Sequence, residues 1–521
     1  MHTAEIVLAL LVLATLVAVF ADRLRLPAPS LLVLAGLAVG LLPGVPDVHI
    51  APDLVSLVVL PPLLYAAAVD VVITDLRAVL RPVLVLALGL VAATAVAVAL
   101  VVHAITPSVS LQVALVLGAV LASTDPVAVS ALARRLQLPP RLLALVQGES
   151  LLNDATSLLL FRVVVSGVVA GHLAGPVEFP LRFLALGGGG AAIGIACGFI
   201  VRQLHQRTDD TVVAAVISLL TPYAVFVAAE LAHTSGVTAV VFGGLYLGRR
   251  RFQMSRGPAR LQIAHLYGVV VFLLESAVFA VIGLQLPTLV RHLTSSEREF
   301  VLVALAVTAT MLVVRVAWVW AVTYLPGVTL EQPRPRVVAV SSWAGTRGVV
   351  PLAAALSIPL TAHAGAAFPH RALLLVLATT CTALTLVVQG LTLGPVVSRT
   401  GVVDDPAVRS REQALARHAA LAAAMSRLDE LREREEASPA AVDWLRREFA
   451  DRLDRAAELL SAADVSGSPQ ATREEMRTLR RELIAVQSAR LHELVDTGRI
   501  SEPVRRHVQR LLDLDEARSA D

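Results

Sequence analysis

The sequence predicts an all-α membrane protein of about thirteen transmembrane helices followed by a soluble helical tail. The chain has 521 residues, of which 56% are hydrophobic, and its mean hydropathy is +0.73. Long apolar runs recur at spans that suit a bilayer. The composition then changes near Gly401, after which Arg, Glu, Asp, Ala and Leu dominate. A soluble globule cannot carry such a sequence. The expected division is 1–401 for the membrane domain and 402–521 for the tail.

In order, the apolar segments fall at about 3–21, 30–43, 52–69, 82–105, 110–134, 141–170, 180–203, 211–231, 234–248, 265–290, 300–324, 336–360 and 371–397. The first lacks a basic leader and a clear cleavage site, so it reads as a retained helix. Two segments are interrupted. Ala122-Ser123-Thr124-Asp125-Pro126 places a proline and a charge inside one. Ser341-Ser342-Trp343-Ala344-Gly345-Thr346-Arg347-Gly348, with Pro351 behind it, interrupts another. Unwound backbone at membrane depth survives only when buried in protein or lining a cavity, and paired broken helices point to a transporter's binding site. Asp125 and Arg347 also suit half-helix ends, a carboxylate at the positive end and a guanidinium at the negative one. Beyond the membrane domain, helical patterning covers about 406–436, 439–463, 470–497 and 500–516, divided by turns at Ser438-Pro439 and Gly467-Ser468-Pro469.

Loop charge sets the expected orientation. One alternate set of loops carries Arg23, Arg25, Arg77, Arg81, Arg134, Arg135, Arg141, Arg202, Arg207, Arg249, Arg250, Arg251, Arg256, Arg260, Arg334 and Arg336. The other set carries only Arg182, Arg291, Arg298 and Arg371. The first set is therefore expected in the cytoplasm, with the amino terminus outside and the tail inside. The net charge of +3 says little about partners. Cys197 and Cys381 lie in apolar segments and have neither disulfide nor metal spacing.

The segment 141–170 holds Gly148-Glu149-Ser150-Leu151-Leu152-Asn153-Asp154. A charge at the centre of a membrane helix costs about 2.5–3.5 kcal/mol, so these polar groups are functional candidates. Ser150 and Asp154 are i,i+4 neighbours, as are Glu149 and Asn153. Among the remaining charges, Glu230 reads as a surface acid near an outer helix end. Glu275, midway along its segment, calls for a buried partner or a functional role. Arg162 and Arg315 are expected to pair with acids, snorkel or face water. Histidines 103, 172, 233 and 265 fall near segment ends and read as interfacial.

Thr124-Asp125-Pro126, the Gly148–Asp154 run and Gly345-Thr346-Arg347-Gly348 occur in this order. Together they give a chain that resembles the monovalent cation:proton antiporters of the first family, the NhaP/NHE-type sodium/proton exchangers. Leu60-Pro61-Pro62-Leu63-Leu64-Tyr65 and Phe279-Ala280-Val281-Ile282-Gly283-Leu284-Gln285 add to the likeness, which covers about residues 5–400. The resemblance implies an NhaA/NhaP-like core with two crossing broken helices, a dimerisation domain, homodimers in the cell membrane and alternating access. It implies Asp154 as the ion- and proton-binding carboxylate, with Ser150 and the backbone near Thr124 as further ligands. Asp125 would shape the site or bind directly. Asn153 would hold the unwound strand, and Glu149 and Arg347 would form an ion pair. Many relatives carry an acid directly after the aromatic of the Pro-Pro-Leu-Leu motif. Here Ala66 follows Tyr65, and Asp70 comes a turn later as a substitute ligand or a helix-end charge.

Sodium and lithium are hard cations that take oxygen ligands. Burial disfavours a bare carboxylate, and either a proton or a cation relieves it. Competition for one side chain is then the exchange reaction. With Asn153 beside Asp154, one-for-one, electroneutral exchange is the simpler reading. Potassium is an alternative cargo. A channel more often uses symmetric rings of ligands. An intramembrane aspartyl protease using Asp125 and Asp154 would lack its Gly-x-Gly-Asp signature. No cofactor and no nucleic-acid partner are expected.

Overall fold

The computed structural model describes residues 12, 15–17, 28–42, 51–125, 140–172, 175, 177–208, 210–250, 257–293, 297, 299–324, 334–362, 365–401, 406–434, 438–462, 487 and 490. Two compact units divide the chain, Met1–Asp404 and Asp405–Asp521. No strand forms among the described residues beyond an isolated bridge between Thr361 and Ala367.

The membrane unit is all-α. Its helices are α1 (Ala28–Gly40), α2 (Pro52–Asp70), the short α3 (Ile73–Ala78), α4 (Leu80–Ile105), α5 (Leu111–Leu121), α6 (Pro140–Ala170) and α7 (Glu178–Gln206). There follow α8 (Thr211–Leu231), α9 (Gly236–Arg249), α10 (Gly257–Arg291), α11 (Phe300–Thr323), α12 (Arg334–Trp343), α13 (Val349–Leu356) and α14 (Arg371–Thr400). Of these, α2, α4, α6, α7, α8, α10, α11 and α14 are long and apolar enough to cross a bilayer. Most of the expected first segment lies outside the described residues, as does the stretch beyond Asp125 of the first broken one. The second interruption is present: α12 ends at Trp343 and α13 starts at Val349.

Local chemistry explains several helix ends. Asp210 caps α8 by accepting from Val212 N at 2.7 Å and Val213 N at 3.2 Å. Ser235 caps α9 through Thr238 N at 3.2 Å. Gly401 ends α14 in the left-handed region, φ 64°. Helices α2 and α4 each contain a π-helical stretch, Val55–Val59 and Val85–Leu90.

Two groups of helices pack internally. One is α1, α2, α7, α8, α9 and α10; the other is α4, α5, α6, α11, α12, α13 and α14. They meet along a seam where α6 touches α7 and α9, and α10 touches α13 and α14. Within the first group α1 lies directly on α10. A Cβ on Gly36 would strike the Ala280 carbonyl, and one on Gly283 the Val33 carbonyl. Helix α14 is largely buried, whereas α7 exposes Leu181, Leu184, Ile195, Phe199, Ile200 and Leu204.

The second unit, described by itself, is a helical hairpin of α15 (Pro406–Glu433) and α16 (Pro439–Ala462). Arg432 pairs with Asp443 at 3.3 Å and Arg446 with Asp429 at 3.4 Å across it. All four side chains are about half exposed, so each pair contributes at most about 1 kcal/mol. The helices expected at 470–497 and 500–516 lie outside the described residues, save two positions.

Gly283→Leu should force α1 and α10 apart. The expected loss is about 1–3 kcal/mol, read as a lower thermal midpoint of the purified protein in detergent. An unchanged midpoint would mean that the two helices have slack between them.

Candidate ion-binding site

Helix α6 carries Glu149, Ser150, Asn153 and Asp154 within little more than one turn. At about 100° per residue, Ser150 and Asp154 share one face and Glu149 and Asn153 the next. The helix thus serves two surroundings at once.

The unwound ends of the two broken segments meet. Asp125 N donates to Thr346 O at 2.7 Å, and Thr346 Oγ1 donates to Asp125 O at 3.0 Å. Helix α6 grips the first break from the side. Ser150 Oγ donates to Thr124 O. Asn153 Nδ2 donates to Thr124 Oγ1 at 3.4 Å. One turn on, Ser157 Oγ donates to Ala119 O at 2.6 Å.

Charges sit at the half-helix ends. Arg347 donates from Nε to Leu121 O at 3.1 Å and from Nη1 to Gly345 O at 2.5 Å. Leu121 is the last residue of α5, so the guanidinium covers an orphan carbonyl there. Arg315, on α11, does the same for α12, donating to Ser341 O at 2.9 Å and Ser342 O at 3.1 Å. The Asp125 carboxylate lies against Gly348, the residue that opens α13, where a Cβ would collide with it. That is the positive end of a half-helix, as the sequence argument anticipated for this residue type.

One expected pairing is different. The resemblance implied Glu149 with Arg347, but Glu149 pairs with Arg315, at 2.6 Å to Nη1 and 3.1 Å to Nη2. Both side chains are 1% exposed. The reason is geometric: Arg347 is spent on the α5 terminus, and Arg315 reaches Glu149 and the α12 carbonyls together. Sequence reasoning left Arg315 with open options. Its signal was a lone arginine deep in an apolar segment. Glu230 keeps the near-surface place read from the sequence and there forms a two-oxygen pair with Arg162.

A cavity of about 430 Å³ lies between the two helix groups. Its wall includes Asp154, Ser150, Thr124 and Asp125 from one group, and Asp70, Ala66 and Glu275 from the other. Asp70 is at the exposed end of α2, yet it lines the same cavity. Glu275 and Asp125 line it together. Among the described residues the cavity wall holds no basic side chain. Asp154 is 7% exposed, and its Oδ1 has no hydrogen-bond partner; nor does Asn153 Oδ1. A buried oxygen left unpaired is costly. A set of oxygens on an acidic cavity can take a proton or a hard cation.

A family model described as the transmembrane sodium/hydrogen exchanger matches residues 7–399. This chain belongs to the sodium/hydrogen exchanger family. The exchanger is 33% identical to an uncharacterized Na(+)/H(+) exchanger of Mycobacterium tuberculosis over 99% of this chain and 96% of that one. It is 32% identical to a sodium, potassium, lithium and rubidium/H(+) antiporter of Bacillus pumilus, over 72% and 59% of the two chains. Its fold is similar to that of the sodium proton antiporter MjNhaP1 from Methanocaldococcus jannaschii, with a TM-score of 0.64, 20% identity, and coverage of 77% of this chain and 99% of that one. Members of this family are transporters, not enzymes.

Arg315→Met leaves Glu149 buried without its counter-ion and should cost the exchanger about 3–5 kcal/mol. Adding Glu149→Gln should return part of that loss, the α12 carbonyls remaining uncovered. Urea or thermal unfolding of both variants measures it. No recovery in the double variant would show that Arg315 acts through Ser341 and Ser342 alone.

Proposed function

We propose that this exchanger trades sodium or lithium for protons, one for one, with Asp154 as the shared binding group. The observation that carries the reading is the placement of the Asp154 carboxylate: buried, one oxygen unpaired, at the wall of an acidic cavity. Ser150 Oγ and the Thr124 carbonyl supply further oxygens. Asn153 and Asp125 hold and balance the crossing. Glu149 and Arg347 serve the scaffold, Glu149 through Arg315. Ala66 contributes no ligand, and Asp70 adds charge to the cavity mouth.

The direction of opening follows from chain order. The cavity reaches Asp70, Gln147 and Ile263, which lie towards the arginine-rich loops. With those loops in the cytoplasm, the cavity faces inward, the amino terminus is outside and the tail is cytoplasmic. Alternating access then moves the two helix groups against each other along the seam. The outward apolar face of α7 suits lipid and a second copy in a homodimer within the cell membrane.

A bound cation and a bound proton each neutralise Asp154, and Asn153 adds no second titrating group. The cycle therefore moves no net charge. It is driven by the ion gradients, at about 1.4 kcal/mol per pH unit, and gains nothing from the roughly 2.3 kcal/mol per 100 mV that a charge-moving cycle would use. Potassium as cargo is the second reading, favoured by the named cation range of the Bacillus pumilus relative.

In proteoliposomes bearing a pH gradient, sodium or lithium should collapse the gradient through the native protein, and Asp154→Asn should abolish the effect. Flux clamped at different membrane potentials should not change; clear voltage dependence would reject one-for-one exchange. Collapse by potassium alone would transfer the assignment to that ion. Glu275→Gln removes one cavity carboxyl group without touching the α6 ligands. It should raise the sodium concentration for half-maximal exchange by roughly threefold while the maximal rate is kept. A lost maximal rate with unchanged half-saturation would place Glu275 elsewhere in the cycle.

A further inference from the structure

Arg162 lies eight residues beyond Asp154 on α6, about 12 Å along the helix axis. It is therefore towards the end of the seam away from Asp70, Gln147 and Ile263. Both its terminal nitrogens donate to the Glu230 carboxylate, and Nη1 also donates to Thr234 O at 3.2 Å. Glu230 sits next to the last residue of α8, and its Oε1 accepts from Gly236 N at 3.1 Å, at the start of α9. The turn that follows Glu230 is itself pinned. Thr234 Oγ1 donates to Ala229 O at 3.0 Å, and Ser235 N donates to Leu186 O of α7 at 3.2 Å. The carboxylate is thus built into the α7–α8–α9 corner. The arginine is built into the helix that carries Asp154. The pair spans the seam at one end; the cavity opens the seam at the other.

From this arrangement we infer that Arg162 and Glu230 are the gate residues of the exchanger, a latch that holds the seam shut opposite the cavity and must part each time Asp154 is exposed to that side. The inference rests on the alternating-access reading above. Exposure separates this pair from Glu149–Arg315. The latch side chains are 41% and 31% exposed, where an ion pair contributes little and water can replace each partner. Those of Glu149–Arg315 are 1% exposed each, which makes that pair a fixture. A contact broken in every cycle has to be the weak kind. The latch also has a fixed half. When Arg162 leaves, Glu230 keeps its bond to Gly236 N, so the α8–α9 corner retains its shape while α6 moves.

The test reads accessibility first, because it needs no transport. Asp154→Cys is placed in protein lacking Cys197 and Cys381, reconstituted in sealed vesicles of either orientation. A membrane-impermeant thiol reagent should modify it from the cavity side. Adding Arg162→Gln should raise modification from the opposite side about fivefold, and Glu230→Gln should do the same. Arg162→Gln is the cleaner variant, since it leaves the Glu230–Gly236 bond in place. Unchanged modification from the opposite side in Arg162→Gln would overturn the latch. As a second measurement, Arg162→Cys/Glu230→Cys bridged by a short bifunctional thiol reagent should stop sodium-driven pH-gradient collapse, with recovery on reduction. Undiminished exchange while bridged would overturn the latch and leave Asp154 exchange standing. Native protein that fails to exchange removes the proposed function instead, while the accessibility result still decides whether Arg162 and Glu230 hold the seam.

Discussion

Everything in the membrane unit depends on satisfying unwound backbone in an apolar medium, where α5 ends and where α12 gives way to α13. An unwound segment exposes backbone groups that lipid cannot satisfy. Here the two breaks satisfy each other through Asp125 and Thr346. The half-helix ends are then covered by charge: Arg347 at α5, Arg315 at α12 and Asp125 at α13. Each of these charges would be prohibitive alone. Together they compensate the termini and hold the crossing in one geometry.

The crossing in turn makes the site. Helix α6 grips Thr124 through Ser150 and Asn153, and the same turn presents Asp154. Ligand and scaffold are therefore neighbours on one helix. A shift of the unwound strand alters the oxygens around the carboxylate at once. The cavity adds Asp125, Glu275 and Asp70 without an arginine in its described wall, so its field favours cations over anions.

Two kinds of ion pair coexist on α6 and divide the work by burial. Glu149–Arg315 is enclosed, multiply hydrogen-bonded and tied to one helix group. Arg162–Glu230 is half exposed and spans both groups. Losing the first strands a charge in the interior; losing the second only returns two groups to water. Rigidity near the ion and freedom along the seam follow from that difference.

Hydropathy alone determined the class and the presence of helices long enough to span, because a bilayer demands length and apolarity whatever the neighbours are. The polar run Glu149–Asp154 and the breaks at Thr124 and Thr346 were legible for the same reason: a polar group in lipid needs a use. Which arginine meets Glu149 was not legible. Arg315 and Arg347 are both isolated cations in apolar segments, and only the meeting of the unwound backbone at Asp125 and Thr346 fixes which of them reaches it. Nor could sequence say that Glu230 is the acid that Arg162 meets, or that Glu275 turns to the cavity. Periodicity tells which residues share a helix face, but the partner across a helix–helix contact is set by the packing of helices distant in the chain.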